Sequence, residues 1–225
     1  MARSSTLPVD FYARSTLDVA RDLIGKVLVH RAGDGTTTGR IVETEAYIGE
    51  TDPACHAYKG RTPRNEPLYG PPGLAYVYVS YGLHHLLNAV TEHEGFPSAV
   101  LIRAVEPLDG VDRMHARRRA ASGRPGPIRD ADLCRGPGNL TVAMGISTPV
   151  HNTRMLTRGV LTVCDDGTAV SGVVWTPRIG VTLGADRYWR CAARDAAAVS
   201  GVRRWLREGR PTPAPHRPYA DQKPL

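Results

Sequence analysis

The sequence predicts an α+β fold: a single domain built on a curved antiparallel β-sheet with helices around it. Three observations predict it. Residues 74–106 hold three consecutive strand-like runs joined by glycine-bearing turns, the pattern of an antiparallel meander. Helical segments flank that block. The 225 residues, 41% apolar and 23% charged, are ordinary for a globular chain and long enough to bury a sizeable core.

Taken in order, residues 15–24 read as a short helix. Ser15 or Thr16 caps it, Leu17, Ala20, Leu23 and Ile24 share a face, and Gly25 stops it. Lys26–Arg31 alternates as a strand, Gly33-Asp34-Gly35 turns, and Gly39–Tyr47 returns as a second strand. Residues 48–73 are loop-like, with Pro and Gly throughout. Leu74–Tyr81, His84–Glu92 and Ser98–Glu106 form the meander, joined at Gly82 and at Gly95-Phe96-Pro97. Residues 107–122 are helical and rich in Arg, and a second helix follows Gly136-Pro137-Gly138. Residues 160–164 and 173–182 are further strand candidates. The domain is expected over 1–208, with a Pro-rich, basic and disordered tail over 209–225.

Lys and Arg number 29 against 22 Asp and Glu, a formal charge of +7. That balance favours a polyanionic partner, nucleic acid above all, although plain solubility gives the same sign. Nine Tyr against two Phe place amphipathic rings where Phe would ordinarily serve, which suits half-wet clefts. Cys55, Cys134, Cys164 and Cys191 are widely and irregularly spaced, without a CxxC pair, so no zinc site and no other metal is expected. Neither a signal peptide nor a run of ~18 apolar residues is present, so the expectation is a cytoplasmic monomer with four free thiols and no membrane contact.

Four groups of residues carry potential chemistry. In Val42-Glu43-Thr44-Glu45-Ala46-Tyr47, side chains two apart share a face, so Glu43, Glu45 and Tyr47 lie on one side of a strand. A carboxylate there could serve as a general base toward water; a solvated strand face is the commoner fate of Glu-x-Glu. In Leu74–Tyr81, Tyr76, Tyr78 and Ser80 face one way and Val77 and Val79 the other. The tyrosines either line a cleft or fill a core with their hydroxyls at the rim. Tyr81, just before Gly82, stands at a hairpin turn, where a ring could wedge between base pairs. The loop from Asp52 to Asn65 interleaves Lys59, Arg61 and Arg64 with small residues and Tyr58, as suits phosphate contacts or merely an exposed basic loop. The last group is Arg113, Arg117, Arg118, Arg119 and Arg124, for which a solvated helix face is a sufficient reading.

Together these pieces resemble the alkyladenine (3-methyladenine) DNA glycosylase family. Glu-Thr-Glu-Ala-Tyr, Thr-Pro-Arg-Asn, Tyr-Val-Tyr-x-x-Tyr-Gly, Val-Leu-Ile-Arg-Ala-x-Glu-Pro and Leu-Cys-x-Gly-Pro stand in the family's order from about Asp10 to Gly145, with weaker traces to about Gly201. The resemblance implies a monofunctional hydrolase without a cofactor, acting on damaged purines in double-stranded DNA by base flipping. It implies Glu45 as the base that activates water, with Arg103 beside that water. It assigns Tyr47 to one face of the flipped base, His56 and Tyr78 to the other, and Asn88 to crowding a guanine amino group. Tyr81 takes the place of the extruded nucleotide, and Arg64 falls in the DNA-facing loop. Two departures stand out. Asn139 occupies the place of a family Lys after Gly136-Pro137-Gly138, implying one fewer phosphate contact. Asp195-Ala196-Ala197-Ala198-Val199-Ser200 replaces the family's Gly-x-Pro-aromatic-Val-Ser, leaving the packing of the late strand without a counterpart.

The competing class is a non-catalytic nucleic-acid-binding protein. Glu45 separates the two, because a pure binder has no use for a carboxylate facing a polyanion. A metal hydrolase using His56, His84 and His85 is a further alternative, but adjacent histidines on a strand point to opposite faces.

Overall fold

The computed structural model describes residues 5–123 and 126–201. The expected tail over 209–225 lies outside them. Among the described residues one sheet holds nine strands, every pairing in it antiparallel. The strands are β1 (Ser5–Thr6), β2 (Val27–Ala32), β3 (Gly35–Ile48), β4 (Ala75–Ser80), β5 (His84–Val90), β6 (Ser98–Asp109), β7 (Leu161–Asp165), β8 (Val173–Thr176) and β9 (Arg190–Ala193). The main path runs β1-β7-β2-β3-β6-β5-β4, and the sheet does not close into a barrel. The predicted meander is present as β4-β5-β6.

The sheet forks at β3. Its first half pairs with β2 as far as Arg40↔Val27. β9 then takes the vacated edge at Glu43, Thr44 and Glu45 and carries β8 outside it. Along its other edge β3 pairs with β6, and the register shifts on both sides of Glu43. Val42 on β3 and Arg103 on β6 are each left without a directly opposite residue. Bulges of this kind bend a sheet and re-aim side chains.

Among the described residues six α-helices pack around the sheet: α1 (Val9–Tyr12), α2 (Thr16–Asp22), α3 (Val111–Ser122), α4 (Asp130–Leu133), α5 (Pro137–Met144) and α6 (Thr148–His151). The core between sheet and helices takes alternate residues from the end of β3 and from much of the meander. It holds Ala46 and Ile48 of β3, Ala75 and Val77 of β4, Leu87 and Ala89 of β5, and Val100 and Ile102 of β6, packed with Leu17, Leu23, Met114 and Leu140 of the helices. The intervening residues of the same strands form the opposite face and carry the site.

Some boundaries differ from the sequence reading. β8 stops at Thr176, not 182, because Pro177 lacks the N–H that a ladder requires. The segment expected to be helical from 107 first completes β6, and α3 begins only after Gly110. Val79, on the same strand face as the buried Val77, is 37% exposed near the tip of its hairpin. The arginines of α3 are not simply a solvated face. Arg113 donates to the carbonyls of Asp34 and Thr36, and Arg117 to the Asp34 carboxylate and the Ala143 carbonyl, so both tie helices to the β2–β3 turn. No helix among the described residues is long and apolar enough to cross a membrane.

Candidate active site

One crosswise row of the sheet organises the site. Tyr76 of β4 pairs with Asn88 of β5, Asn88 with Leu101 of β6, and Leu101 with Glu45 of β3. The row continues to Arg190 of β9 and Thr176 of β8. Residues directly opposite one another share a face. The row therefore places Glu45 three strand spacings, roughly 14 Å, from Tyr76 on one surface. Above it lies a cleft of ≈ 740 Å³, within the range of small-molecule sites.

Seven of the eight residues singled out by sequence line this cleft: Tyr47, His56, Arg64, Tyr78, Tyr81, Asn88 and Arg103. The eighth, Glu45, is fully buried just beneath the floor and bonded to residues that form it. Its Oε2 accepts from the Tyr47 hydroxyl at 2.8 Å and from Arg103 Nη1 at 3.1 Å. Its Oε1 accepts the Ile179 N–H at 2.7 Å. A carboxylate has about four acceptor positions, so one on Oε1 is left unused by these three donors.

Below Glu45 lies a buried ionic network. Glu43 is fully buried, contrary to the solvated alternative for Glu-x-Glu. Its Oε1 accepts from Arg103 Nε at 3.0 Å, Arg190 Nε at 2.6 Å and Ser200 Oγ at 2.8 Å, and its Oε2 accepts the Ser200 N–H at 2.7 Å. Burial alone would raise the Glu43 carboxyl, but Arg190 and Arg103 outweigh it and hold the group below its usual range. Arg103 is the bulged residue of β6, and it spans both carboxylates. Burial also pushes the Tyr47 phenol well above its ordinary value, reinforced by Glu45, so the hydroxyl stays protonated and donates.

The opposite wall is aromatic. His56 Nδ1 lies 2.8 Å from the Tyr76 hydroxyl, and its ring meets Tyr78 edge-on with centroids 4.4 Å apart. Tyr76 and Tyr78 stack at 5.3 Å. Tyr76 belongs to a small apolar cluster with Cys55, Leu68 and Tyr69, so this tyrosine does fill a core. Burial, with Arg64 nearby, lowers the His56 pKa and keeps the ring neutral at pH 7. Asn88 donates to the Tyr76 carbonyl at 3.1 Å.

At the cleft mouth the β4–β5 hairpin turns through Tyr81 and Gly82, with φ of 51° and 70°. The Leu83 N–H returns to the Ser80 carbonyl at 3.0 Å. Positive φ at both central positions defines a type I′ turn, which suits Gly82 and strains a tyrosine. Tyr81 is 92% exposed. Arg64 donates to the Val79 carbonyl at 3.3 Å on the same hairpin. Facing it, a Cβ on Gly138 would come within 2.8 Å of the His84 ring, so only glycine lets the start of α5 approach this closely. Asn139 lines the cleft there, its amide donating to the Arg135 carbonyl. His85 instead meets Thr148, and no group of three His, Cys, Asp or Glu side chains converges among the described residues.

Sequence reasoning did not assign Arg178, Ile179, Arg190 or Ser200, all from the last quarter of the described chain. Arg178 pairs with Asp52 in a forked contact of 2.6 and 2.8 Å. The only signal was the Val199-Ser200 dipeptide, kept where the rest of that motif departs.

A buried ionic floor beneath an aromatic cleft fits an enzyme active site, and the comparisons with known proteins agree. The chain falls among the DNA glycosylases, DNA-repair hydrolases of N-glycosyl bonds. A family model described as methylpurine-DNA glycosylase matches residues 10–197, and the chain belongs to that family. Relatives named "Putative 3-methyladenine DNA glycosylase" include one from Methanocella arvoryzae, 47% identical over 197 residues, 86% of this chain and 95% of the relative. One from Chlorobium phaeobacteroides is 45% identical over 193 residues (85% and 94%), and one from Burkholderia lata 44% over 199 (88% and 92%).

Proposed function

We propose that the protein excises alkylated or deaminated purines from double-stranded DNA, as a monofunctional glycosylase that flips the base into the cleft and uses a water activated by Glu45. The observation that carries this reading is the placement of Glu45. It is a buried carboxylate with an acceptor position to spare, oriented by Arg103, Tyr47 and the Ile179 amide beneath an aromatic cleft.

The purine enters between Tyr47 and the His56–Tyr78 wall, held by stacking and, when alkylated and cationic, by cation–π attraction. Neutral His56 does not repel such a base. Asn88, on the floor row, crowds an exocyclic amino group and so disfavours guanine. Water oxygen bonds to the sugar C1′ as the glycosidic bond breaks. The bond's electron pair leaves with the base, and Glu45 takes the water proton while balancing the oxocarbenium charge. A purine made cationic by alkylation at a ring nitrogen departs neutral; a deaminated purine departs as its anion and takes a proton from solvent. Among the described residues no lysine lines the cleft, so none of them supplies an amine there for a Schiff-base route. Tyr81 fills the gap in the stack and Arg64 contacts a phosphate.

The test incubates the protein with duplexes carrying hypoxanthine, ethenoadenine or 7-methylguanine and scores abasic sites. Wild type should release at least one base. Glu45→Gln should still bind that lesion but cleave at least ~100-fold more slowly in a single turnover, the lower range for a lost general base. Unchanged cleavage by the variant rejects the role of Glu45. Binding without release on any lesion supports the non-catalytic alternative.

A further inference from the structure

We propose that Arg178 is a positioning residue that couples base stacking to water activation, clamping Tyr47 from behind while the adjacent Ile179 amide holds Glu45. The proposal rests on the roles of Tyr47 and Glu45 given above. The Arg178 side chain is fully buried, as is Asp52. Nη1 donates to Asp52 Oδ2 and to the Ala46 carbonyl at 3.0 Å; Nη2 donates to Asp52 Oδ1 and to the Gly184 carbonyl at 3.3 Å. Four of the five guanidinium N–H groups are thus engaged, in the forked geometry that Arg makes with a carboxylate and Lys does not.

The guanidinium carbon sits 4.8 Å from the Tyr47 ring centroid and 5.1 Å from that of Trp189. Tyr47 lines the cleft and Arg178 does not. The cation thus sits over one face of a ring that also lines the cleft, and the proposal seats the base on the other face. Cation–π contact of this kind fixes the plane of the ring. Fixing the plane also fixes the hydroxyl that donates to Glu45 Oε2. The next residue, Ile179, donates to Glu45 Oε1. Both carboxylate oxygens are thus held through one dipeptide.

Asp52 extends the clamp into the loop that carries His56. Its Oδ2 accepts the Ile48 N–H and its Oδ1 the Ala54 N–H, while the Cys55 N–H bonds to its carbonyl. One ion pair therefore sets the end of β3, the start of the aromatic wall and the approach of residues 177–184. Pro177 ends β8 just before Arg178 and so delivers it. A clamp that holds stacking ring and base together serves catalysis because small misplacements of reacting groups are costly in rate.

The test uses Arg178→Met combined with Asp52→Asn, so that no charge is left buried alone, and Arg178→Lys as a milder change. Each is measured with Tyr47 present and in a Tyr47→Leu background. Readouts are the single-turnover rate and the ratio of affinities for lesion and undamaged duplex. With Tyr47 present, the double substitution should slow cleavage ~10- to 100-fold and shrink the affinity ratio several-fold. In the Tyr47→Leu background, where the ring is gone, it should shrink that ratio no further. Arg178→Lys should fall between, because it keeps the charge but not the fork. Equal losses in both backgrounds, or a lowered melting temperature with rate and ratio unchanged, would falsify the clamp. Wild type that releases no base overturns the glycosylase reading instead, while the affinity ratio still judges Arg178. Should the double variant not fold, an unchanged rate and ratio in Arg178→Lys overturns the proposal.

Discussion

The floor of the cleft and the tip of the β4–β5 hairpin are two functional regions built in opposite ways. On the floor, Glu43, Glu45 and Asp52 are fully buried, and each is held by arginine from another segment. At the tip, Tyr81 is 92% exposed and its backbone sits at a φ that side chains usually avoid. The floor is thus assembled before any substrate arrives. The tip carries its strain in the free protein and, on the reading proposed here, is compensated only when DNA is present. On the reading proposed above, the groups assigned to the chemistry are placed where their protein partners are fixed, with one acceptor position of Glu45 left open. The ring assigned on that reading to insertion, Tyr81, is placed where its own fold has no hold on it.

The sharpest way to break this contrast is Glu43→Leu. It leaves Arg103 and Arg190 buried without their shared carboxylate, a loss of about 3–5 kcal/mol. A thermal melt should show a fall of roughly 6–20 °C. The pH dependence has a definite sign. Glu43 is held below its ordinary pKa in the folded state, so its contribution is present above the usual carboxylate range and lost as pH falls through the lowered value. Wild type should therefore lose stability on acidification through that window, and Glu43→Leu should lose less. A melt of Glu43→Leu near wild type would mean that the floor is not the rigid region.

Tyr81→Ser sharpens the other side. The free protein should melt almost where wild type does, since the ring touches little; a core tyrosine would cost roughly 3–5 kcal/mol. Cleavage of a paired lesion should drop several-fold, because the inserted ring offsets part of the unstacking cost, and a mismatched lesion should suffer less. A large fall in melting temperature with equal loss on both substrates would return Tyr81 to a structural role.

The smallest expected effect is at Arg64, beside the tip. Arg64→Ala should weaken binding to all duplexes alike and reduce the salt slope of binding by about 1, as removal of one phosphate contact does. An unchanged slope would mean that Arg64 serves only its hydrogen bond to the Val79 carbonyl.

These two regions also differ in how far the sequence reveals them. The hairpin was legible, because Tyr81-Gly82 between two alternating runs is a local signal. So was the shared face of Glu43, Glu45 and Tyr47, which follows from a period of two. Their burial was not. It depends on Arg103 bulging from β6 and on Arg190 and Ser200 arriving from 147 and 157 residues away from Glu43. No periodicity connects such positions. Arg178 was hidden for the same reason, and the strand expected through residue 182 would have placed it in a ladder that Pro177 forbids. In α3 the helix was readable, but the turn that Arg113 and Arg117 grip was not, since a basic helix face looks alike whether solvated or tied down.

The fork at β3 bears on how the chain matures. Loop closure over more than a hundred residues is slow relative to a hairpin, and folding during synthesis starts at the N-terminus. The meander of β4, β5 and β6 can form from contiguous chain, and with it the aromatic wall and the projecting ring. β9 can take its place beside Glu43 only after residue 193 has been made, and Ser200 comes later still. On the reading proposed above, the nascent chain thus acquires the elements assigned to DNA contact before those that hold Glu43 and Glu45, which are complete only once Ser200 has been made.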